Sequence, residues 1–169
     1  DLGMSRGLGD VYKRQSLIIV SAGGLGLLAL KIAKAAYGIN PIVLDIDDEK
    51  LKVARDLGAS LTINSSSEDA ANQIMEATGG GAKAIVDFVG AEASVNLGYQ
   101  CLSKGGKQVI VGLFGGQLTI PLPLLTLTEK KIMGSYVGSL GEMKDLMKLV
   151  SAGKTVSYTH LTLPTTCTV

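Results

Sequence analysis

The residues of this chain best placed for ligand chemistry are six in a row, Ser21-Ala22-Gly23-Gly24-Leu25-Gly26, and an acid about 20 positions on, Asp45. The six read GxGxxG with serine at the first glycine position. Gly23 would let backbone approach a pyrophosphate, and Gly26 would let a helix pack closely on a strand. A helix beginning here would aim unpaired N–H groups and the positive end of its dipole at the phosphates. The carboxylate of Asp45 could then accept hydrogen bonds from both hydroxyls of an adenosine ribose. Ile46 follows it and no arginine is near, so a 2′-phosphate would meet like charge with nothing to neutralise it. The implied ligand is a dinucleotide, NAD in preference to NADP. Lys50 reads equally well as a surface lysine or as a ribose contact. The competing reading is a tight strand-to-helix turn with a solvated Asp45 beyond it.

Such a turn works only between a strand and a helix. Strand-like runs SLIIV (16–20), PIVLD (41–45), SLTI (60–63), AKAIVDFV (82–89), KQVIVGL (107–113) and KKIMGSYV (130–137) alternate with helical stretches near 24–37, 48–57, 66–77, 91–102 and 141–152. In the first helix, Leu25, Leu28, Ile32 and Ala35 recur at helical spacing and are expected to share the buried face. Asp48 is the expected N-cap of the second helix, and Gly58 falls just past its end. Nearly continuous apolar strands imply burial on both faces, as in parallel sheets covered by crossover helices. The expected fold is α/β: a Rossmann-type doubly wound parallel sheet of about six strands with helices on both faces. Its ligand crevice would lie at the carboxyl ends of the strands.

Composition excludes several functions. With 169 residues, 46% apolar and 18% charged, the chain suits one globular domain. A net charge of +1 with no basic run argues against nucleic acid. The most apolar segment, 17–36, is interrupted by the glycine turn and by Lys31 and Lys34, which argues against a membrane span. Cys101 and Cys167 make neither a disulfide framework nor a CxxC pair, pointing to a reduced, cytoplasmic setting. DVYKRQ (10–15) and VSYTHL (156–161) are what one inverted DNA element would encode on its two strands. That element resembles the mosaic end of a sequencing-library transposon. Residues 1–15 and 155–169 are therefore expected to be non-native flanks around a domain at 16–154. The one histidine, His160, falls in the second flank.

The segments SAGGLGLLALKIAKA, VLDIDDEKL, DLGAS, IVDFVG, KGGKQVIVGLFGG and IMGSYVGS, in this order and spacing, resemble the nucleotide-binding domain of the zinc-dependent medium-chain alcohol dehydrogenases. The resemblance implies that backbone around Phe88, Val89 and Gly90 borders the adenosine side of the cofactor. It implies that Val111, Gly112 and Leu113, with Ser135 and Val137, hold the nicotinamide carboxamide. Independently of it, Gly90, Gly112, Gly115, Gly116 and Gly138 fall just after strands, where either a turn or a close ligand favours glycine.

In that family hydride moves between nicotinamide and an alcohol held on zinc. The resemblance places the three metal ligands and the proton relay in a preceding catalytic domain. Residues 16–154 have no histidine and one cysteine, Cys101, which reads as a small core residue. No catalytic and no metal-ligating residue is therefore assigned, zinc is expected only in the intact enzyme, and the chain alone is expected to be inactive. The intact enzyme would act on a small alcohol or its carbonyl partner. Alternatives are an NAD-sensing module without turnover and a zinc-free quinone or enoyl reductase of the same superfamily.

The remaining motifs read as structure. TGGGAKA (78–84) suits a helix-to-strand turn better than a phosphate loop, since its lysine leads into a strand. Met143, Leu146, Met147 and Val150 read as a core stripe, and Lys130 and Lys131 as a solvated strand start. The prolines of LTIPLPLLTLT (118–128) break strand pairing while its leucines stay apolar. The resemblance puts that run near a contact between subunits, so a homo-oligomer is expected; packing against its own domain is the alternative.

Overall fold

The computed structural model describes residues 16–153, and the expected flanks at 1–15 and 155–169 lie outside them. The described residues fall into two units divided after Val137. The first contains β1 (Leu17–Val20), α1 (Gly24–Tyr37), β2 (Ile42–Asp45), α2 (Asp48–Asp56), β3 (Leu61–Asn64), α3 (Ala70–Thr78), β4 (Ala82–Asp87), α4 (Glu92–Cys101), β5 (Leu102–Ile110), α5 (Leu122–Thr128) and β6 (Lys131–Gly134). The six strands form one sheet in the order β3-β2-β1-β4-β5-β6, and every neighbouring pair is parallel. This is the expected doubly wound α/β fold, and its strand order reverses between β1 and β4.

Strand periodicity divides the core between the two faces. Ile18, Val20, Ile42, Leu44 and Ile63 pack on one side with Ala70 and Ile74 of α3 and Cys101 of α4. Ile19 and Val43 pack on the other with Leu30 of α1 and Leu51 and Ala54 of α2. Each large apolar side chain buried this way contributes about 1.5–3 kcal/mol. Cys101 is a core residue as expected, and burial pushes its thiol above the ordinary range against a smaller opposing pull from Lys130.

Several local expectations are corrected. The buried face of α1 is Gly26, Leu30 and Ala33, whereas Leu25 is 61% exposed. Gly26 decides the phase: a Cβ there would collide with the Ser21 carbonyl, so this is the position at which the helix meets the strand end. The N-cap of α2 is Asp47, one residue before the expected Asp48, and its side chain accepts from the N–H groups of Glu49 and Lys50. The run at 118–128 contains a short helix, α5, with Pro121 at the N-cap and Pro123 in the first turn, where a missing N–H costs no intrahelical bond. Lys130 is not a solvated strand start. Its Nζ donates to the Tyr99 carbonyl at 2.8 Å and lies 4.7 Å from the centre of the Tyr99 ring, so it caps the carboxyl end of α4. The turn at 79–81 is closed on itself, with the N–H groups of Gly79 and Gly80 donating to Glu76 and Met75 and that of Gly81 to Thr78 Oγ1. It is a helix-to-strand connection, as expected.

The second unit contains α6 (Leu140–Ser151). Its N-terminus is a reciprocal capping box: Glu142 N donates to Ser139 Oγ at 3.2 Å, and Ser139 N donates to Glu142 Oε2 at 2.6 Å. The stripe Met143, Leu146, Met147 and Val150 keeps its spacing but is not a core, because no residue of α6 is buried. Among the described residues of this unit, α6 is the only regular element.

The hydrogen bond from the Ser139 backbone, then that from its hydroxyl, holds the Glu142 carboxyl below the ordinary glutamate range. A depressed carboxyl stabilises the folded form above its unfolded pKa and loses that contribution as pH falls through the folded one. The first turn of α6 is therefore expected to loosen on acidification below the ordinary carboxylate range. The protection of the Glu142 amide, taken relative to intrinsic exchange at each pH, should fall there in the wild type, and Glu142→Gln should show no such transition.

Candidate functional site

The glycine turn joins β1 to α1 at the carboxyl end of the sheet, next to the point where strand order reverses. Ser21 adopts φ 95°, a left-handed conformation that glycine would take without strain. Two bonds hold it there: its N–H donates to the Leu44 carbonyl at 2.7 Å, and its Oγ accepts from Gly23 N at 3.1 Å. Gly23 is the N-cap of α1 and no side chain caps the helix. The first N–H groups of α1 therefore lack intrahelical acceptors and face outward from the sheet end. Gly24 has open space where a Cβ would stand.

Asp45 is 8% exposed, so it is not the solvated strand end of the competing reading. Its Oδ2 accepts from Ala22 N at 2.6 Å and its Oδ1 from Asp47 N at 3.0 Å. The carboxylate thus ties β2 to the glycine turn. Two oxygens offer about four lone-pair sites, which leaves capacity for further donors. Lys50 faces Asp47 at 4.0 Å, with both side chains about half exposed.

Beside this carboxylate lies a mostly apolar cavity of about 580 Å³, lined among others by Ser21, Asp45, Ile46, Ser66, Val89 and Phe114. It brings together Ser21, Asp45 and Val89 of the expected site residues. Phe88 instead packs against the core beneath α1. Val111, Gly112 and Leu113 follow β5, while Ser135 and Val137 follow β6; these segments share the carboxyl end of the sheet but do not line the cavity. Ser135 N donates to the Ile110 carbonyl at 2.9 Å, and Val137 has φ 47°, a strained conformation for a β-branched residue.

The glycines after β4 and β5 have a packing cause. A Cβ on Gly90 would collide with the Gly112 carbonyl, and one on Gly112 with the backbone of Val89. The two turns lie backbone on backbone, and Phe114 N and Gly115 N donate to the carbonyls of Val89 and Gly90 at 3.1 and 3.0 Å. Gly116 lies against the Glu92 backbone and side chain.

Residues 24–152 match the family described as zinc-binding dehydrogenase. The chain belongs to the zinc-binding dehydrogenase family. It is 40% identical to an NAD-dependent alcohol dehydrogenase of Sulfurisphaera tokodaii over 83% of this chain and 41% of that protein. It is 37% identical to an NAD-dependent alcohol dehydrogenase of Saccharolobus solfataricus over 82% of this chain and 40% of the relative. The crystal structure of an alcohol dehydrogenase from Aeropyrum pernix superposes with a TM-score of 0.76 at 35% identity, covering 83% of this chain and 41% of that one. The chain thus spans about two fifths of the length of these relatives.

Among the described residues, no three His, Cys, Asp or Glu side chains come together as a metal site. Cys101 lies in the core, apart from the cavity. The described residues therefore do not fit a zinc ion. Nor is any described helix long and apolar enough to cross a membrane. Three features meet at the carboxyl end of the sheet: an uncapped helix start beside glycines, a buried carboxylate with lone pairs to spare, and an apolar cavity lined by that carboxylate and Ser21.

Two residues of this end of the sheet were not singled out in the sequence. Asp87, the last residue of β4, is fully buried, and Ser94 of α4 donates to it at 2.8 Å. A signal was present: both Asp45 and Asp87 are acids closing apolar parallel strands, where burial has to be repaid by hydrogen bonds.

Proposed function

We propose that this chain supplies the NAD-binding part of an oxidoreductase that moves hydride between a small alcohol and its aldehyde or ketone. The observation that carries the reading is Asp45, a buried acid fixed by two backbone N–H groups at the mouth of an apolar cavity beside the glycine turn. A carboxylate so placed suits the two hydroxyls of an adenosine ribose, and the uncapped start of α1 suits a pyrophosphate. Ser21, Gly23, Gly24, Leu25 and Gly26 would then face the phosphates, and Asp45 the ribose, with Lys50 flanking it. The turns at 88–90 and 111–113, with Ser135 and Val137, would carry the rest of the cofactor. When bound, the nicotinamide supplies the hydride acceptor and donor; the chain's own residues bind it, orient it and exclude water from the adenosine side. The names of the relatives, NAD-dependent alcohol dehydrogenases, support the same cofactor and substrate class. The direct test is calorimetric titration of the chain with NAD, and absence of binding would overturn the reading.

The unit is also proposed to self-associate. β6 is an edge strand; its own Met133 is 46% exposed, and Leu122 and Leu127 of the preceding α5 are 75% and 70% exposed. An open edge flanked by apolar side chains pairs readily with a second copy of itself. Light scattering should show a species larger than a monomer that Leu122→Glu together with Leu127→Glu reduces; a monomer at high concentration would refute this.

A further inference from the structure

We infer that Asp87 is a positioning residue that holds the two turns of the cofactor crevice in a single geometry. Its Oδ1 and its carbonyl bond those turns directly, and its Oδ2 bonds the first turn of α4, which follows one of them. Oδ1 accepts from Val89 N at 2.8 Å and Gly90 N at 2.9 Å. Oδ2 accepts from Ser94 Oγ at 2.8 Å, and Ser94 Oγ in turn accepts from Ala91 N at 3.2 Å. The Asp87 carbonyl accepts from Val111 N at 2.8 Å and Gly112 N at 3.1 Å. One fully buried residue thus bonds the turn after β4 through its side chain and the turn after β5 through its main chain. The backbone contact of Gly90 on Gly112 then leaves neither turn free to move alone.

An ordinary buried acid would need partners only to offset its desolvation. Here the backbone partners Val89, Gly90, Val111 and Gly112 all belong to the segments expected to border the cofactor, while Ser94 of α4 and Val89 line the cavity itself. Asp87 does not line the cavity; it acts through Val89, Gly90 and Ser94. With Asp45 fixing the turn after β1, the crevice is framed by two buried acids at the ends of β2 and β4, one on each side of β1.

This inference rests on the NAD-binding reading, and its test separates the two. Amide exchange at Val89 and Gly90 is followed by NMR in the ligand-free 169-residue chain, and NAD and AMP are titrated into the same samples, for wild type, Asp87→Asn, Asp87→Ala and Ser94→Ala. Asparagine keeps an oxygen for Val89 N and Gly90 N, and its NH2 can donate to Ser94 Oγ. Asp87→Asn should therefore keep both amides protected and bind NAD and AMP within about threefold of wild type, the cost of altering one hydrogen bond of the set. Asp87→Ala should deprotect both amides and weaken both ligands by at least about tenfold while melting as a folded protein. Ser94→Ala should fall between them, and it carries the test if Asp87→Ala does not fold. A folded Asp87→Ala, or Ser94→Ala in its place, with wild-type exchange and wild-type NAD affinity would overturn the assignment. If the wild type binds no NAD, the functional reading fails, while the exchange data still decide whether Asp87 holds the turns.

Discussion

Gly90→Ala is expected to destabilise the protein by about 2–5 kcal/mol, the sum of a left-handed backbone imposed on an L-residue and an overpacked contact. Gly90 has φ 66°, and a new Cβ would collide with the Gly112 carbonyl, which is backbone and cannot rotate aside as a side chain would. Movement of Gly112 would in turn strain the bonds from Val111 and Gly112 to Asp87. Urea or thermal unfolding measures the loss. Gly24→Ala is the matched control: with open space at its Cβ and a helical position, it should be neutral or stabilising by up to about 1 kcal/mol. A Gly90→Ala variant within about 1 kcal/mol of wild type would show that the two turns separate easily.

NAD is expected to bind at least about a hundredfold more tightly than NADP, a difference of roughly 2.7 kcal/mol. A full charge of a 2′-phosphate about 4 Å from Asp45 would cost up to roughly 4 kcal/mol at an effective dielectric near 20. Asp47, Asp48 and Glu49 add negative charge to the same corner. Asp45→Ser should weaken NAD and relieve the repulsion, yet leave NADP binding poor, because no arginine takes over the lost partner. The structure adds a second effect. Ala22 N and Asp47 N lose their acceptor in that variant, so its stability should fall by about 1–3 kcal/mol. Calorimetry with both cofactors, paired with thermal melts, reads both effects. Equal affinity of the wild type for the two cofactors would sink the assignment of Asp45 to the ribose.

The fold was legible because its signals are collective. Six apolar runs with helical stretches between them leave few arrangements other than a doubly wound parallel sheet, and small errors at the ends of runs do not alter that. The glycine turn was legible for a local reason: Gly26 permits a contact that no other residue permits. What escaped notice depended on contacts distant in sequence. The face of α1 could not be chosen from Leu25, Leu28, Ile32 and Ala35, since their period is the same as that of the true face. Asp87 looked like one strand residue among others until the bonds from Val111 and Gly112 placed it between two turns. Lys130 looked solvated because nothing near it in sequence shows that the end of α4 lies beneath it. The proline run hid α5 because proline stops a helix in its interior but opens one in its first turn.

The central position of β1 also has a consequence during synthesis. Its neighbours in the sheet are β2, which follows soon after, and β4, which does not: Lys83 N reaches Ser16 Oγ across 67 positions of chain. At about 5–20 residues per second, a ribosome takes roughly 3–13 s to deliver that second neighbour. Throughout that interval β1 has one open edge and Asp45 belongs to half a crevice. A nascent chain of this kind cannot complete the crevice early. It has to protect an apolar strand edge first and close the crevice only when β4 docks, which makes the β1–β4 seam the step at which mispairing with another chain competes with folding.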